Sequence, residues 1–138
     1  MLAEFSVQFT TIHELNLACI HQLLKEDRDL DYAIKRAFSR VLNSFHLLVS
    51  RLQNTASESE LDDYHPEKYW LQLENANHRE IELFLLKIES NQLSPLELAL
   101  LFQLIRDHSF YMGQLHLLCQ QHNFALVNEY LFKLNLDE

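Results

Sequence analysis

Glycine occurs once in 138 residues, proline twice and cysteine twice. A sandwich, a barrel or a doubly wound α/β fold of this length needs many more turn glycines, so few and long elements are expected. Basic residues are also scarce: 11 Lys and Arg stand against 20 Asp and Glu, giving a net charge of −9 and a pI near 5.3. A nucleic-acid binder needs a basic footprint to neutralise phosphates. The nearest approach to one is Lys35-Arg36 with Arg40, which excludes nucleic acid and anionic membrane as expected partners. Cys19 and Cys119 lie 100 positions apart with no C-x-x-C, so no disulfide framework or Cys-rich zinc site is expected. Both fall at apolar helical positions, as buried reduced thiols of a cytoplasmic protein would. The N-terminal stretch has neither a basic region nor a long apolar run, so it reads as neither a signal peptide nor a membrane span.

What is present is helical periodicity. Hydrophobic residues make up 48% of the chain, enough for a globular core. Four amphipathic segments are expected at about 2–25, 30–53, 66–90 and 95–121, an all-α four-helix bundle in one domain. In the first, Phe5, Phe9, Ile12, Asn16, Cys19 and Leu23 share a face, and Asp29 is positioned to cap the second. The second carries an apolar stripe (Phe38, Val41, Phe45, Leu48, Leu52) and a more polar one (Arg36, Arg40, Asn43, Arg51). The third, opened by Pro66, carries Trp70, Leu73, Asn77, Ile81, Phe84 and Ile88. Ser94-Pro95-Leu96-Glu97 is a capping box with Pro at the first position. It starts the fourth helix, whose seam runs Leu98, Leu101, Ile105, His108, Met112, Leu115 and Cys119. Asn123 suits a left-handed cap. Between the second and third segments, 54–65 is a Ser-, Asp- and Glu-rich loop, expected to be the most mobile part. The apolar tail, 124–136, is expected to pack back as a short helix or an extended arm, or to join one copy to another.

Candidate chemistry centres on His108, an imidazole in the middle of an apolar seam. It reads either as a core histidine held by one hydrogen bond or as a metal ligand, since bundles build metal sites from facing helices. A partner imidazole at i+4 would mark a ligand pair, but that position is Met112, a soft thioether. His13, His21, His78, His116 and His122 read singly as surface or boundary residues. Ser109 and Cys119 lack the geometry or the reactivity of nucleophiles. Glu58, Glu60, Asp62 and Asp63 read as a solvated acidic loop.

The stretch Asp107-His108-Ser109-Phe110-Tyr111-Met112-Gly113-Gln114 resembles the last-helix motif H-x-x-x-H-R-G-Q of the DinB/YfiT-like metalloenzyme superfamily, down to the one glycine. Arg36 to His46 is similar to that family's second helix, S-H-I-L-N-A-x-x-I-W. The resemblance implies a DinB-like four-helix bundle, a homodimer, and a site in which three histidines hold nickel or zinc. Carried over, those positions are Arg40, His108 and Met112, of which only His108 keeps its imidazole. A guanidinium opposes a cation, so no metal cofactor is expected. The β-hairpin that many members carry before the last helix has shrunk to 89–93. The expected function is thus a non-catalytic binding or interaction module, with Arg40 holding an acidic group of the protein or an anionic ligand. The alternative is a divalent-metal-dependent thiol transferase or hydrolase with a site rebuilt around His108, for which His46 is the substitute ligand. No substrate is legible in either case.

Overall fold

The computed structural model describes residues 2–25, 29–88, 92–123 and 126. It is all-helical among these: α1 (Leu2–Lys25), α2 (Tyr32–Leu52), α3 (Trp70–Lys87) and α4 (Pro95–Gln121), with one 3-10 turn at Glu67–Tyr69. The first and last helices take the expected bounds. The capping box closes α4 from both sides, the Glu97 N–H donating to Ser94 Oγ (3.1 Å) and the Ser94 N–H to Glu97 Oε1 (2.9 Å). Asn123 takes the left-handed conformation (φ 57°) that ends the helix.

Two starts differ from expectation. The cap of α2 is Asp31, whose Oδ1 accepts from the Ala33 N–H at 2.8 Å, so the helix begins two residues after Leu30. Leu30 is instead buried in the core. Pro66 opens the 3-10 turn rather than a long helix, and α3 begins at Trp70 and ends at Lys87. The third helix is therefore shorter than its 66–90 pattern. Positions 89–91 and the tail, except Leu126, lie outside the described residues.

Each helix packs chiefly against two others, in the cyclic order α1, α3, α2, α4. Contacts fix the directions. Phe5 meets Phe102 and Asn16 meets His108, so α1 and α4 run the same way. Phe38 meets Trp70 and Gln53 meets Glu80, so α2 and α3 are parallel to each other. Asp31 beside His122 sets the start of α2 against the end of α4, and His13 on His78 with Asn16 on Glu74 shows that α1 opposes α3.

Parallel neighbours joined in sequence need a connection that travels back along the bundle. Residues 53–69 are that connection, and this is why the loop is long. It is not loose, contrary to expectation. Its polar groups are laid along α2 in reverse order: the Glu58 N–H donates to His46 Nε2, Arg40 Nε to Asp62 Oδ1 (2.9 Å), and the His65 N–H to Ser39 Oγ (3.0 Å). Asn43 Nδ2 donates to the carbonyls of Leu61 (3.1 Å) and Asp63 (2.8 Å). The polar stripe of α2 is thus the bed of the crossover. Its end is anchored by Trp70, which is fully buried and donates its indole N–H to the His65 carbonyl (2.9 Å).

The apolar interior falls into two clusters. One gathers Leu15, Ile34, Phe38, Trp70, Met112 and Leu115; the other gathers Phe9, Phe45, Leu48, Ile81, Leu101 and Leu104. No helix among the described residues is long and apolar enough to cross a membrane.

Candidate functional site

Between the two clusters lies a buried polar belt. Asn16, Asn77, Glu74 and His108 are each no more than 6% exposed. On α1, α3 and α4 a belt residue lies close to where one apolar cluster gives way to the other. Asn16 sits between Phe9 and Cys19, Glu74 between Trp70 and Ile81, and His108 between Leu104 and Met112.

The belt is wired in one direction. Asn16 Nδ2 donates to Glu74 Oε1 at 2.8 Å, so its Oδ1 is left to accept. His108 Nε2 lies 2.7 Å from that Oδ1 and must be the protonated nitrogen, donating to it. His13 Nδ1 meets Glu74 Oε2 at 2.8 Å. The result is a chain from His108 in the core, through Asn16 and Glu74, to His13 near the surface. The His78 ring stacks on that of His13 at 4.0 Å, 1° from parallel, and its Nε2 pairs with Glu82 Oε1 at 2.7 Å. Asn77 is satisfied separately, donating to the Leu42 carbonyl at 3.1 Å.

Burial sets the protonation states. It pushes His108 down to about 4, so the imidazole is neutral at neutral pH. Burial pushes the Glu74 carboxyl above its ordinary value, and the bonds from His13 and Asn16 oppose that. His78 is lowered by burial first and then by the charge of His13, with Glu82 opposing. A carboxylate this deep is tolerable only because both oxygens have donors.

The positions implied by the family resemblance are engaged elsewhere. Arg40 reaches Asp62 with two nitrogens, Nε at 2.9 Å and Nη2 at 2.8 Å, so it holds an acidic group of the protein itself. Met112 is a core residue at 3% exposure. His46 takes a backbone N–H of the crossover on its Nε2. His108 is turned toward α1, on the Asn16 side of its ring. Among the described residues no three His, Cys, Asp or Glu side chains form a group that could hold a metal ion.

The cysteines, distant in sequence, enter the same core cluster because α1 and α4 are parallel. Burial first, and then the neighbouring Cys119, raises the Cys19 thiol far above its ordinary value, which makes it a poor nucleophile. Ser109 spends its hydroxyl on the Ile105 carbonyl (3.2 Å).

Glu74 and the stacked His13 and His78 were not legible as a site from the residues alone. The available signal was Glu74 itself, an acid four positions after Trp70 and seven before Ile81, inside the apolar stripe of α3. His13 and His78 are half-buried boundary residues, but they work as a pair across α1 and α3 rather than singly.

A second feature is a groove of about 340 Å³ between the N-terminal half of α2 and the C-terminal half of α4. Ala33, Ala37 and Leu118 line it, with Arg36, Arg40 and Gln114 as its polar groups. Arg36 makes no ion pair among the described residues and is exposed, whereas Lys35 beside it is tied to Glu67 at 2.7 Å.

No family model, curated protein or solved structure matches this chain.

Proposed function

We propose that the chain is a DinB-like module with a degenerate metal site, acting by binding or interaction and not by catalysis. One observation carries this reading: the side chains at the three positions implied by the resemblance are all committed to structure. Arg40 clamps the crossover through Asp62, Met112 fills the core, and His108 ties α4 to α1 through Asn16. A guanidinium and a thioether are also the wrong donors for nickel or zinc. The recognition surface in this reading is the α2–α4 groove, where Arg36 offers a planar cation to a carboxylate or another anion. The reading includes a homodimer, supported by Phe102 and Phe110, which stand more than half exposed on α4. It also includes a cytoplasmic setting, in keeping with two free buried thiols.

The test is elemental analysis of protein purified without affinity-tag metal, with His108→Ala alongside. The expected result is no stoichiometric nickel, zinc or iron, and a variant that differs only in stability. Stoichiometric metal that disappears in His108→Ala, together with thiol-transfer or hydrolase activity, would replace this reading by that of a metalloenzyme with a rebuilt site.

A further inference from the structure

The α2–α4 groove has a polar end and an apolar end. Ala33, Arg36, Ala37 and Arg40 form its α2 wall, and Gln114, Leu117 and Leu118 its α4 wall. Both sets recur every three or four residues, so each is one face of its helix. Helix α4 is parallel to α1, and α2 to α3, while α1 opposes α3; α2 and α4 therefore run oppositely. Asp31 beside His122 sets their register. Arg40 thus lies toward Gln114 and Ala33 toward Leu118, with Arg36 between.

The polar end carries the charge of one free cation. Arg40 gives Nε and Nη2 to Asp62 at 2.9 and 2.8 Å, which balances its charge, fixes its guanidinium and leaves Nη1 uncommitted among the described residues. Arg36 has no acidic partner and Gln114 no hydrogen bond among the described residues. A single free guanidinium, with its fork of N–H donors, suits a carboxylate better than a phosphate dianion. The chain's net charge of −9 repels anions at long range, so a bare anion gains little here and an apolar contact has to add to the attraction. The other end supplies it: Ala33, Ala37, Leu117 and Leu118, where the two alanines keep the floor low. A volume of about 340 Å³ is at the lower end of the range of ~300–1,000 Å³ for small-molecule sites. The wall from Ala33 to Arg40 is roughly 10 Å long, room for a short acyl chain and its carboxylate.

We infer that the groove binds a small monocarboxylic acid with a short apolar chain, its carboxylate held by Arg36 and Gln114 beside Arg40, its chain lying over Ala37 and Ala33 toward Leu118. The inference deepens the module reading and rests on its groove. It narrows the anion of that reading to a free amphiphilic acid, recognised by one charge and one apolar contact together.

Titration of the isotope-labelled full chain with hexanoate, followed by backbone amide shifts, tests this, with hexanamide, acetate and inorganic phosphate as comparisons. Hexanoate is expected to bind at least about tenfold more tightly than each of the three, because hexanamide lacks the charge and the other two lack the chain. The shifts should centre on 33–40 and 114–118. Arg36→Gln, at an exposed position and with its fold checked by circular dichroism, should weaken hexanoate about tenfold and leave hexanamide unchanged. Ala33→Leu, which keeps Arg36 and fills the apolar end, should weaken hexanoate and hexanamide alike. Equal binding of hexanoate and hexanamide, shifts centred elsewhere, or hexanoate binding untouched by Arg36→Gln overturns the inference. So does phosphate binding more tightly than hexanoate, because the groove would then take a bare anion. Stoichiometric metal that disappears in His108→Ala would overturn the module reading while leaving hexanoate binding unchanged, so the two failures are distinguishable.

Discussion

Asn16 joins three helices with one carboxamide. Its amide nitrogen donates to Glu74 on α3, and its oxygen accepts from His108 on α4. No aliphatic residue of similar size can do both. Asn16→Ala would leave a buried imidazole N–H unpaired and strip one donor from a buried carboxylate. Such losses cost the desolvation of the stranded groups, and a destabilisation of about 2–4 kcal/mol is expected in urea unfolding. A change below about 1 kcal/mol would mean that the belt contributes little to stability. At this scale the candidate site was half legible. His108 stands out in the sequence because a titratable ring interrupts an apolar seam. Its partner does not, because an asparagine in a stripe carries no mark of what it faces 92 residues away.

The element that departs most from its sequence pattern is the crossover. Ser, Asp and Glu at 54–65 give the composition of a loose loop, and the hydrogen bonds make it a strap. The side chain that fixes it is Asn43, at 1% exposure, which binds two crossover carbonyls through Nδ2 and meets His65 Nε2 at 2.7 Å through Oδ1. Asn43→Ala is expected to cost about 1–3 kcal/mol and to speed proteolytic cutting within 54–65. Arg40→Ala should cost less than about 1 kcal/mol, because Arg40 and Asp62 are 37% and 66% exposed and their pair is screened. Equal effects of the two substitutions would contradict this ranking. Helices α1 and α4 were legible to the residue because their limits are local. A capping box and a left-handed Asn are chemistry that a short window contains. The start of α3 was not legible, because it depends on where the strap delivers the chain.

For the molecule as a whole, the belt couples stability to pH. His108 has an ordinary value of 6.5 when unfolded and about 4 when folded. Below pH 6.5 the unfolded chain takes up a proton that the folded chain refuses. The contribution is therefore complete above about 6.5 and declines as pH falls toward 4, by up to about 3 kcal/mol. His78, also lowered, acts in the same direction. Glu74, raised by burial, acts in the opposite one: its proton is taken up more readily by the folded chain, which offsets part of the loss in acid. Urea unfolding between pH 7 and 4.5 should show stability declining with acid, and less steeply in His108→Gln. An identical slope in that variant would show that His108 is not the group responsible. The same low dielectric that keeps His108 neutral makes the belt specific, since a slip of one helix past another would strand its polar groups.

The sequence by itself determined the four long helices found among the described residues, where two of them begin and end, and which faces turn inward, because spacing and caps are properties of consecutive residues. The tertiary structure decided the order of the helices around the bundle and turned the acidic loop into a strap on α2. It also decided that Arg40, His108 and Met112 serve the scaffold, while Asn16, Glu74 and His13 complete a chain of hydrogen bonds through the core. Those outcomes depend on which polar groups meet across helices once water is excluded, and periodicity records only that a face is buried, not what it is buried against.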